Sequence, residues 1–324
     1  MRCASDYFKT LVDITVRKTT LITLSLFVLS GCFAEPVPDQ ETIPLAQARE
    51  GFKSKLVTRS TERDPVEDPP EDVFRKISFD SPSGKLAAYL STTTDDGQKH
   101  PSIIWITGGD CNSIGDIWSP QPASNDQTAA AFRRAGVIMM FPSLRGGNDN
   151  PGTKEGFLGE VNDVLAAADY LAAQPSVDPK RMYLGGHSTG GTLVLVVAES
   201  TDRFRAVFSF GPVSDVSGYP PQYLPFDTSN PKEVRLRSPG RWLNGIHSPT
   251  FVFEGEDQGN LSSLTAMQQA TKNSMVHFHP IPRGDHFSVL APTNAALTRK
   301  VMADTGPQSN IAFTAAELNE LMPH

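Results

Sequence analysis

The chain has 324 residues, 39% of them hydrophobic, enough to bury a sizeable core in one large domain or two small ones. Its formal net charge is −7 and its lysines and arginines are scattered, so the basic footprint of a nucleic-acid binder is absent. Neither a C-x-x-C pair nor an H-E-x-x-H helix occurs, so no four-ligand metal constellation is visible and no cofactor is called for.

At the N-terminus, Arg17-Lys18 precede a short apolar run, Thr19 to Ser30, which reads as a secretion signal. The run is too short and too rich in threonine and serine for a membrane span, which needs about 20 mostly apolar residues. Its ending, Leu29-Ser30-Gly31-Cys32, resembles the bacterial lipobox. Cys32 would then become the mature N-terminus, holding the protein to the membrane through acyl chains that each add about 0.8 kcal/mol per buried methylene. Phe33 in place of aspartate points to the periplasmic side of an outer membrane, if the source is Gram-negative. Loss of Cys3 and acylation of Cys32 leave Cys111 alone, so no intramolecular disulfide is expected. Residues 1–31 are therefore read as signal and 32–72 as a solvated tether. The stretch from Glu62 to Asp72 is dominated by acid and proline and has no apolar period. Residues 73–324 are read as the folded domain.

That domain alternates strand-like and helix-like segments, the pattern of an α/β fold with a mostly parallel sheet and crossover helices. Strands are predicted at Phe74 to Phe79, Leu86 to Ser91, Ser102 to Ile106, Val137 to Phe141, Met182 to Leu184, Ala206 to Phe210, Thr250 to Phe253 and Val276 to Ile281. Helices are predicted at about Asp126 to Ala135, Gly159 to Gln174, Thr192 to Glu199, Leu261 to Thr271, Asn294 to Ala303 and Thr314 to Met322, the last capped by its threonine. In the second helix Val161, Val164, Leu165, Ala168 and Leu171 share one face. No internal repeat is apparent. Ser214 to His247 is the one long interruption between core elements, placed to cover a site at the sheet's end.

Between the fifth strand and the third helix lies Gly186-His187-Ser188-Thr189-Gly190, followed by Gly191. In that context G-x-S-x-G is a nucleophile elbow: a serine hydroxyl is aimed out of the sheet by a sharp turn too crowded for side chains at the glycines.

With these residues the chain resembles an α/β-hydrolase of the prolyl-oligopeptidase and dienelactone-hydrolase-like group, from about Ser102 to Leu290. The resemblance rests on Phe141-Pro142-Ser143-Leu144-Arg145-Gly146-Gly147, on Gly159-Glu160-Val161-Asn162-Asp163-Val164, and on Asp178-Pro179-Lys180-Arg181 leading into the elbow, in that order. The chain has no room for the family's β-propeller. The resemblance implies a Ser, acid, His triad in chain order. Ser188 is the nucleophile and His286, in Gly284-Asp285-His286, the base. The acid should follow the strand ending at Phe253, where Glu254-Gly255-Glu256-Asp257-Gln258 offers three carboxylates. Relatives commonly carry an aspartate three residues after the glycine, and this chain has none there. Asp257 is selected, with Glu256 as its rival and Glu254 as a weaker one. The oxyanion hole should combine the Thr189 amide with one from Thr107-Gly108-Gly109-Asp110, either Gly109 or Asp110. Arg145, Glu160 and Asp163 read as structural. Trp118, Tyr219, Tyr223, Phe226 and Trp242 could line an apolar pocket.

The reading is a membrane-tethered serine hydrolase of the cell envelope that cleaves esters or peptide bonds of a small-molecule or peptide substrate through an acyl-enzyme. A carboxylesterase or lipase, and a non-catalytic envelope lipoprotein that binds through the hydrolase fold, are the alternatives.

Overall fold

Eight strands form one mixed sheet: β1 (Phe74–Ser81), β2 (Gly84–Ser91), β3 (His100–Ile106), β4 (Ile138–Pro142), β5 (Val177–His187), β6 (Ala206–Phe210), β7 (Thr250–Gly255) and β8 (Val276–Ile281). They come from a computed structural model that describes residues 35–59, 64–92 and 96–323; the expected signal segment and Cys32 lie outside the described residues. The strand order is β1-β2-β4-β3-β5-β6-β7-β8. β2 pairs antiparallel with β1 and β4, and every pairing from β4 to β8 is parallel. Parallel strands linked by crossovers must be covered on both faces, which is why β4, β6 and β7 are buried throughout. Along β3, Ile104 and Ile106 join one core while Ile103 and Trp105 join the other.

The helices are α1 (Leu45–Arg49), α2 (Ala130–Arg134), α3 (Glu160–Ala172), α4 (Thr189–Ala198), α5 (Pro231–Arg235), α6 (Leu261–Ala270), α7 (Leu290–Ala303) and α8 (Ala315–Glu320). α3, α4 and α6 bury their apolar sides in the first core, and α2 and α7 in the second. The predicted stripe of α3 is buried at Val161, Val164, Ala168 and Leu171. Thr314 caps α8 in a capping box: its hydroxyl accepts the Glu317 N–H and Glu317 accepts the Thr314 N–H.

The expected solvated tether is corrected over residues 35–59, which form a strap across the domain. Glu35 accepts hydrogen bonds from Ser214 and Ser263, and Gln40 donates to the Gly240 carbonyl at 2.5 Å. Leu45 is 1% exposed, and Arg49 donates to the Leu158 carbonyl. Ser54 and the Lys55 N–H both donate to Glu233, and Leu56 bridges to Phe226. The strap has no apolar period because single polar side chains hold it: Glu35, Gln40 and Ser54 find partners on the segment between β6 and β7, and Arg49 finds its partner just before α3. Residues 64–72 are also bound to the sheet, since Tyr89 donates to the Glu67 carbonyl and Val66 is buried.

Candidate active site

β5 delivers Ser188 to the carboxyl end of the sheet, where open α/β sheets place their ligands. Its backbone is held at φ 56°, ψ −115°, a strained conformation for a side-chain-bearing residue. The strain is fixed from both sides: the Ser188 N–H donates to Phe210 O at 2.7 Å, and Ser188 O accepts the Thr192 N–H at 2.8 Å. A Cβ on Gly190 would lie 2.3 Å from Ile106 O, so only glycine lets α4 start against β3.

Ser188 and His286 line one cavity of about 370 Å3, together with Gly108, Gly109, Thr189, Val213, Tyr219 and Asn260, among others. His286 is buried, and its Nδ1 lies 2.9 Å from Glu254 Oε2. An Nδ1–H that donates to this carboxylate leaves Nε2 as the acceptor for the serine proton. Glu254 is 1% exposed and accepts two further bonds, from the Gly255 N–H at 2.8 Å and the Asn260 N–H at 3.0 Å.

The choice of Asp257 as the acid is therefore corrected. Asp257 and Glu256 are exposed, and Asp257 meets the His286 loop only through its backbone N–H, which donates to Gly284 O at 2.9 Å. The strand expected from the sequence ends at Phe253, but β7 runs on to Gly255, so Glu254 is a buried strand residue in register with Pro280. An acidic residue directly after the apolar run Phe251-Val252-Phe253 is the available signal.

At the oxyanion turn the Gly108 N–H donates to Gln127 Oε1 at 3.0 Å, and the Gly109 carbonyl accepts the Thr189 hydroxyl at 2.9 Å. The Gly109 and Thr189 amides are left at the wall of the Ser188 cavity. Asp110, the other choice for the second amide, lines a neighbouring cavity of about 550 Å3 and pairs with Lys154 at 2.7 Å. Gln127 was not foreseen, and nothing in its sequence context marks it.

His187 is fully buried; its Nε2 donates to the His286 carbonyl oxygen at 3.0 Å. Burial, then the neighbouring His286, push its pKa well below the ordinary value, so it is neutral and positions the His286 loop. Burial likewise pushes the Cys111 thiol up, which removes the thiolate a cysteine nucleophile needs. Arg145 is clamped by both Asp163 oxygens and by Glu155, which fixes the loop after β4 to the start of α3. Of the aromatic residues, Tyr219 lines both cavities and Tyr223 the second, while Phe226 and Trp242 are packed inside and Trp118 stacks edgewise on Tyr89. Among the described residues no group of three or more His, Cys, Asp and Glu side chains could hold a metal ion.

Known proteins share this fold and part of this sequence. The chain is 25% identical over 223 residues to the uncharacterized peptidase YtmA of Bacillus subtilis (strain 168), covering 59% of this chain and 80% of that one. It is 29% identical over 150 residues to the S-formylglutathione hydrolase of Mus musculus, covering 40% of this chain and 51% of that one. A solved puromycin-hydrolyzing peptidase of Mycobacterium tuberculosis shares the fold at TM-score 0.57 and 19% identity, over 72% of this chain and 39% of that one. The chain thus spans well under half of that longer protein. The pattern of the prolyl oligopeptidase family matches residues 123–287, just over half of the chain, and takes in the elbow, the segment between β6 and β7, Glu254 and His286. The chain belongs to the prolyl oligopeptidase family, as a serine hydrolase with an α/β-hydrolase catalytic domain.

Proposed function

We propose that the chain hydrolyses short peptides or acyl-peptides through an acyl-enzyme on Ser188. His286 Nε2 takes the Ser188 proton as Oγ attacks the carbonyl, and the Glu254 carboxylate stabilises the imidazolium that forms. The developing oxyanion is received by the Thr189 and Gly109 amides. His286 then returns the proton to the leaving group, and water attacks the acyl-enzyme by the same steps. The observation that carries this reading is the Glu254–His286 hydrogen bond beside the strained Ser188, in one cavity with the oxyanion amides. The peptide substrate is supported by the family and by the peptidases among the relatives. An esterase reading is supported by the S-formylglutathione hydrolase relative. Fluorophosphonate labelling, with the labelled peptide mapped by mass spectrometry, tests the mechanism. Label is expected on Ser188, and it should vanish in Ser188→Ala and His286→Ala. Folded protein without label would overturn the reading, and a matched panel of peptide and ester substrates separates the two substrate classes.

The lipobox-like Leu29-Ser30-Gly31-Cys32 supports a second part of the proposal, that the enzyme is held at the cell envelope by acyl chains on Cys32. Acyl chains on the Cys32 peptide, lost in Cys32→Ser, are the expected result in the mass spectrum.

A further inference from the structure

The strap sets how far the domain can stand from a membrane. Glu35 is held by Ser214 and Ser263, which are 1% and 4% exposed; Ser214 follows Val213 and Ser263 lies three residues after Asn260, two residues of the catalytic cavity's wall. Cys32 stands three residues before Glu35 in the sequence. Three residues span at most about 10 Å of fully extended chain.

The strap's surface has the chemistry of a lipid-facing one. Of the five large apolar side chains exposed among the described residues, Val37, Ile43 and Val57 lie on the strap and Tyr223 on the segment it crosses; the fifth is Met302. From Phe52 to Val57 the strap alternates, with Phe52, Ser54 and Leu56 turned inward and Lys53, Lys55 and Val57 exposed. Over residues 35–59 it carries four basic and four acidic residues, neutral in a chain whose net charge is −7, with all four basic ones between Arg49 and Arg59. Val37 and Ile43 offer apolar contact, and the exposed Val57 beside Lys53 and Lys55 suits an anionic phospholipid interface, where each basic residue adds to the attraction.

We propose that the strap and the segment between β6 and β7 form a membrane-contact surface, with an anionic phospholipid bilayer as the partner. The inference rests on the anchoring reading. It fixes an orientation: Glu35, bonded to the serines that adjoin Val213 and Asn260 in the chain, is held within about 10 Å of the acylated residue, so this side of the domain faces the lipid. The enzyme then meets substrates at that surface and does not sweep the space beyond it on a long leash.

The test uses the full, processed chain in phosphatidylethanolamine–phosphatidylglycerol vesicles. Fluorophores are attached at Val37→Cys, Val57→Cys or Met302→Cys and quenched by nitroxides on the lipid headgroups. Quenching at positions 37 and 57 at least threefold above that at position 302 is expected. Equal quenching at all three sites on a chain whose Cys32 is acylated overturns the inference and leaves the anchor standing. A Cys32 without acyl chains in the mass spectrum overturns the anchor and the inference with it, and leaves the hydrolase reading to its own labelling test.

Discussion

Glu254 reaches His286 from within a strand: its Oε2 lies 2.9 Å from Nδ1 while its backbone pairs β7 to β8 opposite Pro280. Replacing it by glutamine would keep the shape and lose the charge, leaving His286 in the wrong tautomer half the time or more. Glu254→Gln is expected to lower kcat by about 10^3–10^4, the scale seen when a triad acid is neutralised. Asp257→Asn should stay within about twofold, because that carboxylate is exposed and away from the imidazole. Steady-state kinetics on a chromogenic ester measure both, and the reverse ranking would restore Asp257 as the acid.

Gly211 makes room for the pair. It sits at φ +59°, and a Cβ there would lie 2.4 Å from His286 Cε1 and 2.9 Å from Glu254 Oε2. Gly211→Ala should therefore displace the imidazole and lower kcat about 100-fold or more, since an ångström of misplacement in a catalytic group has that effect. The left-handed backbone should also cost about 1 kcal/mol of stability, read as a lower urea midpoint.

Thr189 contributes a hydroxyl as well as an amide. By donating to the Gly109 carbonyl at 2.9 Å it locks one oxyanion residue to the other. Thr189→Val keeps the amide and the branched shape and removes the lock. We expect kcat to fall about tenfold with KM little changed, an effect on the transition state alone.

Glu233 and Arg237 form an ion pair at 2.6 Å with both side chains out of solvent, and Ser54 of the strap bonds to each of them. Glu233→Ala would strand a buried guanidinium and release the strap. A loss of about 3–5 kcal/mol in chemical denaturation is expected.

His279 supplies a pH dependence. Burial, with a smaller contribution from His277, pushes its pKa down to about 4; the ring stacks on Phe253 at 5.3 Å and beside Phe313 at 5.5 Å. The folded chain keeps this imidazole neutral, whereas the unfolded chain protonates it near the ordinary value of 6.5. Stability is thus intact above pH 6.5 and declines as pH falls toward 4, by up to about 3 kcal/mol. His279→Phe should lessen that decline, the part contributed by buried His187 remaining, measured as urea midpoints at pH 8 and pH 5 for both proteins.

The sheet was legible because its strands are apolar runs bounded by turns: β6 and β8 fall on their predicted bounds, β7 extends beyond its own only at Glu254 and Gly255, and β5 begins earlier, at the buried Val177 that precedes the polar and proline residues before Met182. Ser188, Thr189, Gly109 and His286 were legible because a motif or a chain order marks each. The strap was not, since Glu35, Gln40 and Arg49 hold it through individual hydrogen bonds that leave no periodic trace. Glu254 was misjudged for a related reason. Loop acids were weighed by their spacing from Gly255, while the deciding quantity was the register of β7, which only the assembled sheet contains.

An acid carried on a strand takes its position from the hydrogen-bonded ladder of its neighbours, and the length of the connection after it does not set that position. The side chains of Glu256 and Asp257 are thereby relieved of a catalytic duty, while their backbone N–H groups still hold the turn to Ile281 and Gly284. In this chain the acid's position is inherited from the sheet, and only the exposed side chains of the turn beyond it are left open to drift.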